Sequence, residues 1–205
     1  VGQMGTRTMK THNLFPTIIG EYQFTELELK PLVEHCKNTA TVPHFLLSGG
    51  ESSYGNGFHP LSNIVSKHIK QRIQDCVDDY ARKICVEKLV IANNWFNIMH
   101  KGQAVQRHNH RLSIVSGALY LDVAPNSAGL KFHSPIQQYK MMEVLGGTGG
   151  HSSPDWEDMP CRNGLLILFP SWLEHSTDPN QSDYRMVLSF NTGYLDESTT
   201  LFRRG

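Results

Sequence analysis

Residues 164–191 read GLLILFPSWLEHSTDPNQSDYRMVLSFN. Two short apolar runs, Leu165–Phe169 and Met186–Phe190, are separated by Pro, Ser, Asp and Asn. Runs of that length, bounded by turn formers and rich in branched and aromatic residues, read as strands. The same texture recurs upstream in KLVIANNWFNIM at 88–99, SIVSGALYLDVA at 113–124 and GLKFHS at 129–134. Turn clusters divide these runs, PNSAG at 125–129 and the long GGTGGHSSPDWEDMPCRNG at 146–164. No helical period intervenes after residue 87, so the second half is expected to form a β-sandwich or barrel.

Working toward the N-terminus, the pattern changes. Residues 13–24, NLFPTIIGEYQF, read as an early strand interrupted by Pro16. Residues 25–39, TELELKPLVEHCKNT, read as a helix, with Thr25 and Glu28 at capping-box spacing. After the Gly/Ser-rich loop 48–60, Leu61, Ile64, Val65, Ile69, Ile73, Val77, Tyr80 and Ile84 recur at helical spacing. That stripe predicts a scaffold helix of about 25 residues lying on a sheet. The chain is therefore expected to be one domain over 1–205, with a helical part at 25–86 and a barrel at 88–195. The stretch 146–163 is the longest irregular segment, and its glycines suggest a movable lid.

Composition narrows the function classes. Nineteen basic residues balance nineteen acidic ones, which disfavours a nucleic-acid partner. Cys36, Cys76, Cys85 and Cys161 form no CxxC pair, so they read as reduced thiols. No apolar run is long enough for a membrane span. The first residues lack a signal-peptide core, and Met4 is read as the natural start. A cytoplasmic protein is expected. Eleven histidines in a chain of no net charge are the one compositional excess.

Three of those histidines fall in a chemically suggestive pattern. His108 and His110 sit at i and i+2 before the strand at 113–124, a spacing that turns two side chains to one side. His175 follows the run Leu165–Pro170, and Arg185 lies ten residues further on. Three imidazoles can hold one metal ion and leave coordination positions open, and a guanidinium can clamp a carboxylate in bidentate fashion. Gly102 and His108-x-His110 match the first half of the cupin metal motif, and Gly164, Pro170 and His175 resemble the second. Ile114 or Val115 replaces that motif's glutamate, and Trp172 replaces its second glycine.

The segments Trp95–Asn97, GQAVQRHNH at 102–110, SGALYL, GLLILFPSWLEH and RMVLSFN resemble the 2-oxoglutarate/Fe(II)-dependent dioxygenase superfamily. More narrowly, they are similar to a family of 2OG-Fe(II) oxygenases of bacteria and their phages. The resemblance covers about half the chain, and FPSWLEH followed by RxxxSFN is its most specific piece. It implies a mainly β fold with α: a double-stranded β-helix (jelly-roll, cupin-like) core with N-terminal scaffold helices. It also implies Fe(II), 2-oxoglutarate as co-substrate and O2, with succinate and CO2 released as a substrate is hydroxylated. On this resemblance His108, His110 and His175 are the metal ligands, and Arg185 takes the far carboxylate of 2-oxoglutarate. Tyr120 or Ser189 could supply a helping hydroxyl there.

His110 stands where the superfamily usually has Asp or Glu, so a halide or water in the third position, or Asp122, is kept as an alternative third ligand. Two other functions stay open: a three-histidine, cupin-type dioxygenase that does not use 2-oxoglutarate, and a non-enzymatic jelly roll stabilised by its metal. A small-molecule or peptidyl substrate is expected, with specificity in loops 48–60 and 146–163. A homodimer through the helix at 60–84 is left open. Among the other histidines, His133 and His151 are candidates for a substrate role, while His12, His35, His44, His59, His68 and His100 are assigned to structure or solvent. Trp95 reads as core, and Trp172 as packing behind the metal.

Overall fold

A computed structural model of the chain describes residues 15–86, 88–135 and 156–194. In chain order the elements are β1 (Gly20–Gln23), α1 (Glu26–Lys37), β2 (Val42–Pro43), β3 (Glu51–Ser52) and α2 (Lys67–Lys83). Then come β4 (Leu89–Met99), β5 (Val115–Val123), β6 (Lys131–His133), β7 (Trp156–Asp158), β8 (Leu165–Pro170), β9 (His175–Ser176) and β10 (Arg185–Tyr194). A seven-stranded sheet runs β1-β8-β5-β10-β4-β3-β2 and a three-stranded sheet runs β7-β6-β9. All the pairings are antiparallel. This is the two-sheet jelly roll expected, with both helices on one side.

The large sheet is buried on both faces, which is why its central strands read as nearly continuous apolar runs. From β10, Met186, Leu188 and Phe190 pack with Leu29 and Leu32 of α1 and Ile73 and Val77 of α2. The alternate residue Val187 joins Tyr120, Ile167, Phe169 and Phe132 between the two sheets. In β8, Leu166 and Leu168 face the helices and Leu165, Ile167 and Phe169 face the small sheet. Burying each such side chain stabilises the fold by about 1.5–3 kcal/mol. At Gly117 the strands approach so closely that a Cβ would lie 2.2 Å from the Phe190 ring. Gly164 enters β8 at φ +78°, where a Cβ would meet the Phe24 carbonyl oxygen at 2.1 Å.

The capping box forms as expected: Thr25 N–H donates to Glu28 Oε2 at 2.8 Å, and Glu28 N–H donates to Thr25 Oγ1 at 3.3 Å. Three sequence expectations need correction. The early strand is confined to Gly20–Gln23, where it pairs with Leu165–Leu168. The scaffold helix begins at Lys67, because Pro60–Ser62 and Ile64–Ser66 form two 3-10 turns. Asn63 restarts the chain between them by accepting the Val65 N–H, and this leaves Ile64 and Val65 exposed. Finally, residues 156–158 of the expected lid are not irregular: they form β7 and pair with β6. Residues 146–155, with His151, lie outside the described residues.

A bulge in β5 sets which residues face the site. β10 pairs Val187 with Tyr120 but Met186 with Asp122, so Leu121 is unopposed. The extra residue inverts the alternation. Tyr120 points between the sheets, while Asp122 reaches Lys37 of α1 at 2.5 Å. The sequence places Tyr120 and Asp122 on one face; the bulge puts them on opposite ones.

Candidate metal centre and cavity

His108 lies in the segment that runs alongside β9. Its N–H donates to the His175 carbonyl at 3.0 Å and the His175 N–H donates back to the His108 carbonyl at 2.9 Å. The ladder continues at Val105 and Thr177, and Arg107 pairs with Glu174 just outside it. Backbone pairing of this kind fixes the two imidazoles relative to each other without using the rings themselves. His110 is held separately, its N–H donating to the Ser171 carbonyl at 2.9 Å. The ring centroids are 4.3 Å apart for His108–His175, 5.0 Å for His108–His110 and 5.1 Å for His110–His175. One nitrogen from each of the three lies within 4.8 Å of the others.

The protonation state suits a metal. The Nδ1–H of His108 donates to the Gln106 carbonyl at 2.7 Å and that of His175 to the Leu173 carbonyl at 3.0 Å. A carbonyl can only accept, so each Nδ1 carries the proton and each Nε2 keeps its lone pair. Burial lowers all three pKa values; at His110, lowered to about 4, and at His175, lowered to about 3, repulsion from the neighbouring rings adds to it. Neutral imidazoles with free nitrogens are what a divalent ion requires.

Arg185 opens β10 and is 2% exposed. Its Nε–H donates to the Ala128 carbonyl at 2.8 Å, and its guanidinium lies 5.3 Å from the Tyr120 ring centre. No carboxylate is paired with it among the described residues. Glu174 pairs with Arg107 instead. Arg185 and the three histidines line one cavity of about 330 Å³. Ser189, two turns of the strand alternation beyond Arg185, lines the same cavity, and its Oγ accepts from Asn97 Nδ2 at 3.4 Å. Tyr120 supports Arg185 from below, and its hydroxyl accepts the Leu130 N–H at 3.0 Å. Burial raises the Tyr120 pKa, with Arg185 working against the rise.

The family model described as "Putative 2OG-Fe(II) oxygenase" matches residues 93–191, the span that contains all four of these side chains. The match spans just under half of the chain, which is similar to this oxygenase family over that span. No curated protein matches the chain in sequence. Solved structures do match it in fold. A prolyl-4-hydroxylase from Pseudomonas putida is 13% identical, with a TM-score of 0.62 over 87% of this chain and 94% of the other. HygX from Streptomyces hygroscopicus, with nickel and 2-oxoglutarate bound, is 14% identical, with a TM-score of 0.63 over 87% and 84%. The viral collagen prolyl hydroxylase of Paramecium Bursaria Chlorella virus-1, a 2OG complex, is 12% identical, with a TM-score of 0.57 over 85% and 94%.

Several expectations about the site change on the structure. Asp122 is withdrawn as a third ligand, since it lies on the helix face with Lys37. Trp172 is 54% exposed and does not pack behind the metal ligands. Trp95 is buried, yet it lines the cavity, with its ring 6.0 Å from that of His110. His44, assigned to structure or solvent, is a cavity residue stacked on Phe45 and edge-on to Tyr54. Its pKa is lowered by burial and by His108. His133 bonds Ser176 Oγ at 2.8 Å on the small sheet. The signal for His44 was weak, because the β2–β3 loop that carries it has no motif and reaches the cavity only through tertiary folding.

Proposed function

We propose that the protein is an Fe(II)- and 2-oxoglutarate-dependent dioxygenase in which His108, His110 and His175 hold the iron and Arg185 binds 2-oxoglutarate. The helical segment 25–86 and the strands from 88 onward act as one catalytic unit. The observation that carries this reading is a buried guanidinium, free of carboxylates, on the same cavity wall as three neutral imidazoles. When bound, the iron and its co-substrate supply the oxidising chemistry, coupling loss of CO2 from 2-oxoglutarate to hydroxylation of a C–H bond.

The chain's own residues do the rest. The three histidines fix the ion from one side and leave positions for ligands. Arg185, already anchored through Nε, offers its remaining N–H donors to the far carboxylate of 2-oxoglutarate. Tyr120 holds that guanidinium in place, and Ser189 adds a hydroxyl on the same wall. Val187, Leu130 and Phe169 exclude water around the carbon chain between the two ends. Arg185 favours this reading over a three-histidine enzyme without 2-oxoglutarate, which needs no such clamp.

Four free cysteines support a reducing, cytoplasmic setting. No helix among the described residues is long and apolar enough to cross a membrane. The substrate is a small molecule or a peptidyl group. Incubation with Fe(II), limiting 2-oxoglutarate and oxygen should yield succinate in the wild type and far less in Arg185→Leu. Equal succinate from both would refute the clamp.

A further inference from the structure

A ladder of aromatic rings leads from the metal centre to solvent. His110 is followed by Trp95 at 6.0 Å, Trp95 by Tyr54 at 5.2 Å, Tyr54 by His44 at 5.1 Å, and His44 by Phe45 at 4.7 Å. The rings come from three separate pieces of chain: the β2–β3 loop, the turn after β3, and β4. Trp95 is buried, Tyr54 is 43% exposed and Phe45 is 76% exposed. All line the cavity that holds the histidines and Arg185. Binding the metal explains none of them, because it needs polar groups, and the carbon chain of 2-oxoglutarate is already served by Val187, Leu130 and Phe169. Apolar rings in a continuous row beside a cavity mark a surface for a ligand.

Charge decides what kind of ligand. Rings in edge-to-face array could hold an aliphatic group or, by cation–π attraction, a cation. Among the described cavity-lining residues there is no carboxylate, and Arg185 is a cation. With three neutral imidazoles as ligands, a divalent ion keeps its whole charge, whereas a carboxylate ligand would cancel part of it. A bound 2-oxoglutarate dianion offsets the metal and leaves Arg185 in excess. A cationic group on Trp95 would meet that positive field at close range in a medium of low dielectric. An anionic group would face the negative π faces of the rings, while Arg185 and the metal are already taken by 2-oxoglutarate.

We propose that Trp95, Tyr54, His44 and Phe45 form the substrate wall of the site and select an uncharged aliphatic group for presentation to the metal. This rests on the proposed function, since the charge comparison includes the metal and 2-oxoglutarate. The ring ladder makes Tyr54 and Phe45 specificity residues that act on substrate and leave metal and co-substrate binding alone.

The test uses two probes of the same shape, 3,3-dimethylbutan-1-ol, which is uncharged, and choline, which is a cation. Trp156→Phe and Trp172→Phe, both at exposed positions, leave Trp95 as the sole tryptophan and its emission as the signal. In protein loaded anaerobically with Fe(II) and 2-oxoglutarate, the alcohol should bind saturably below about 50 mM, as expected for a fragment. It should bind at least about fivefold more tightly than choline. Tyr54→Ala and the exposed Phe45→Ala should each weaken the alcohol by about threefold or more. Choline binding as tightly as the alcohol, no saturable binding, or an alcohol affinity untouched by both alanine variants would each overturn the proposal. The alcohol titration is repeated without metal, where the ring dependence should persist. Failure of the proposed function would show separately, as absence of 2-oxoglutarate binding and of succinate, readouts that neither probe enters.

Discussion

His108 and His175 exchange both of their backbone hydrogen bonds, at 3.0 and 2.9 Å, although 67 residues separate them in the chain. The pairing brings their rings to 4.3 Å, the closest approach within the triad. Each ring is then oriented by its own Nδ1–H bond to a carbonyl two residues earlier. The arrangement of the imidazoles is thus set by main chain, and the third ring, that of His110, is added from Ser171 on the other side.

Removing a ligand should therefore cost metal without costing the fold. His110→Ala should weaken Fe(II) or Co(II) binding by at least about 100-fold, as for loss of a ligand from a three-ligand site. Its melting temperature in the metal-free state should stay at or above that of the wild type, because a buried imidazole is lost. Anaerobic metal titration followed by calorimetry checks both. His110→Asp, which restores the usual carboxylate, should keep tight binding.

Arg185 should separate metal binding from co-substrate binding. Arg185→Leu removes a charged pair of donors from a buried site, and 2-oxoglutarate should bind about 100-fold more weakly. Arg185→Lys keeps the charge but loses the planar fork, for a loss of about tenfold. Metal affinity should be unchanged in both, as measured by titration before 2-oxoglutarate is added.

Acid should destabilise the metal-free protein through the same histidines. The folded pKa of His110 lies at about 4 and that of His175 at about 3, both below their ordinary value of 6.5. Unfolded chains then bind protons that the folded state refuses, so stability is full above pH 6.5 and falls as pH drops toward 4. Melting temperatures measured from pH 7.5 to 4.5 should decline, and the decline should be shallower in the double variant His110→Ala/His175→Ala.

Gly117 offers a test of the packing that supports the site. A methyl there would lie 2.2 Å from the Phe190 ring, deep under the cavity floor. Gly117→Ala should destabilise by about 1–3 kcal/mol, the usual cost of overpacking. In a chain of this size that lowers the melting temperature by roughly 2–4 °C per kcal/mol. Combining it with Phe190→Leu should recover part of the loss.

The meeting of His108, His110, His175 and Arg185 at one cavity was readable because each sits near a strand boundary with fixed local spacing, i and i+2 for His108 and His110 and ten residues for His175 and Arg185. The long strands β5, β8 and β10 were readable as nearly continuous apolar runs, being buried on both faces. Three things were not. The β5 bulge at Leu121 leaves no mark in composition, yet it decides that Tyr120 faces Arg185 and Asp122 faces Lys37. The break at Asn63 hid inside a helical hydrophobic period, since Ile64 and Val65 keep the spacing while the backbone does not. His44, Phe45 and Tyr54 reach the cavity from short edge strands whose partners lie far along the chain, which no local pattern encodes.

If three histidines and one arginine assemble a single Fe(II)/2-oxoglutarate site, the visible spectrum should report it when Fe(II) and then 2-oxoglutarate are added to the protein under strict anaerobiosis. A weak metal-to-ligand charge-transfer band should appear on adding 2-oxoglutarate and saturate at one equivalent of iron. It should be absent in His175→Ala and need far more 2-oxoglutarate in Arg185→Leu. A wild-type protein that binds iron but shows no band at any 2-oxoglutarate concentration would contradict the claim.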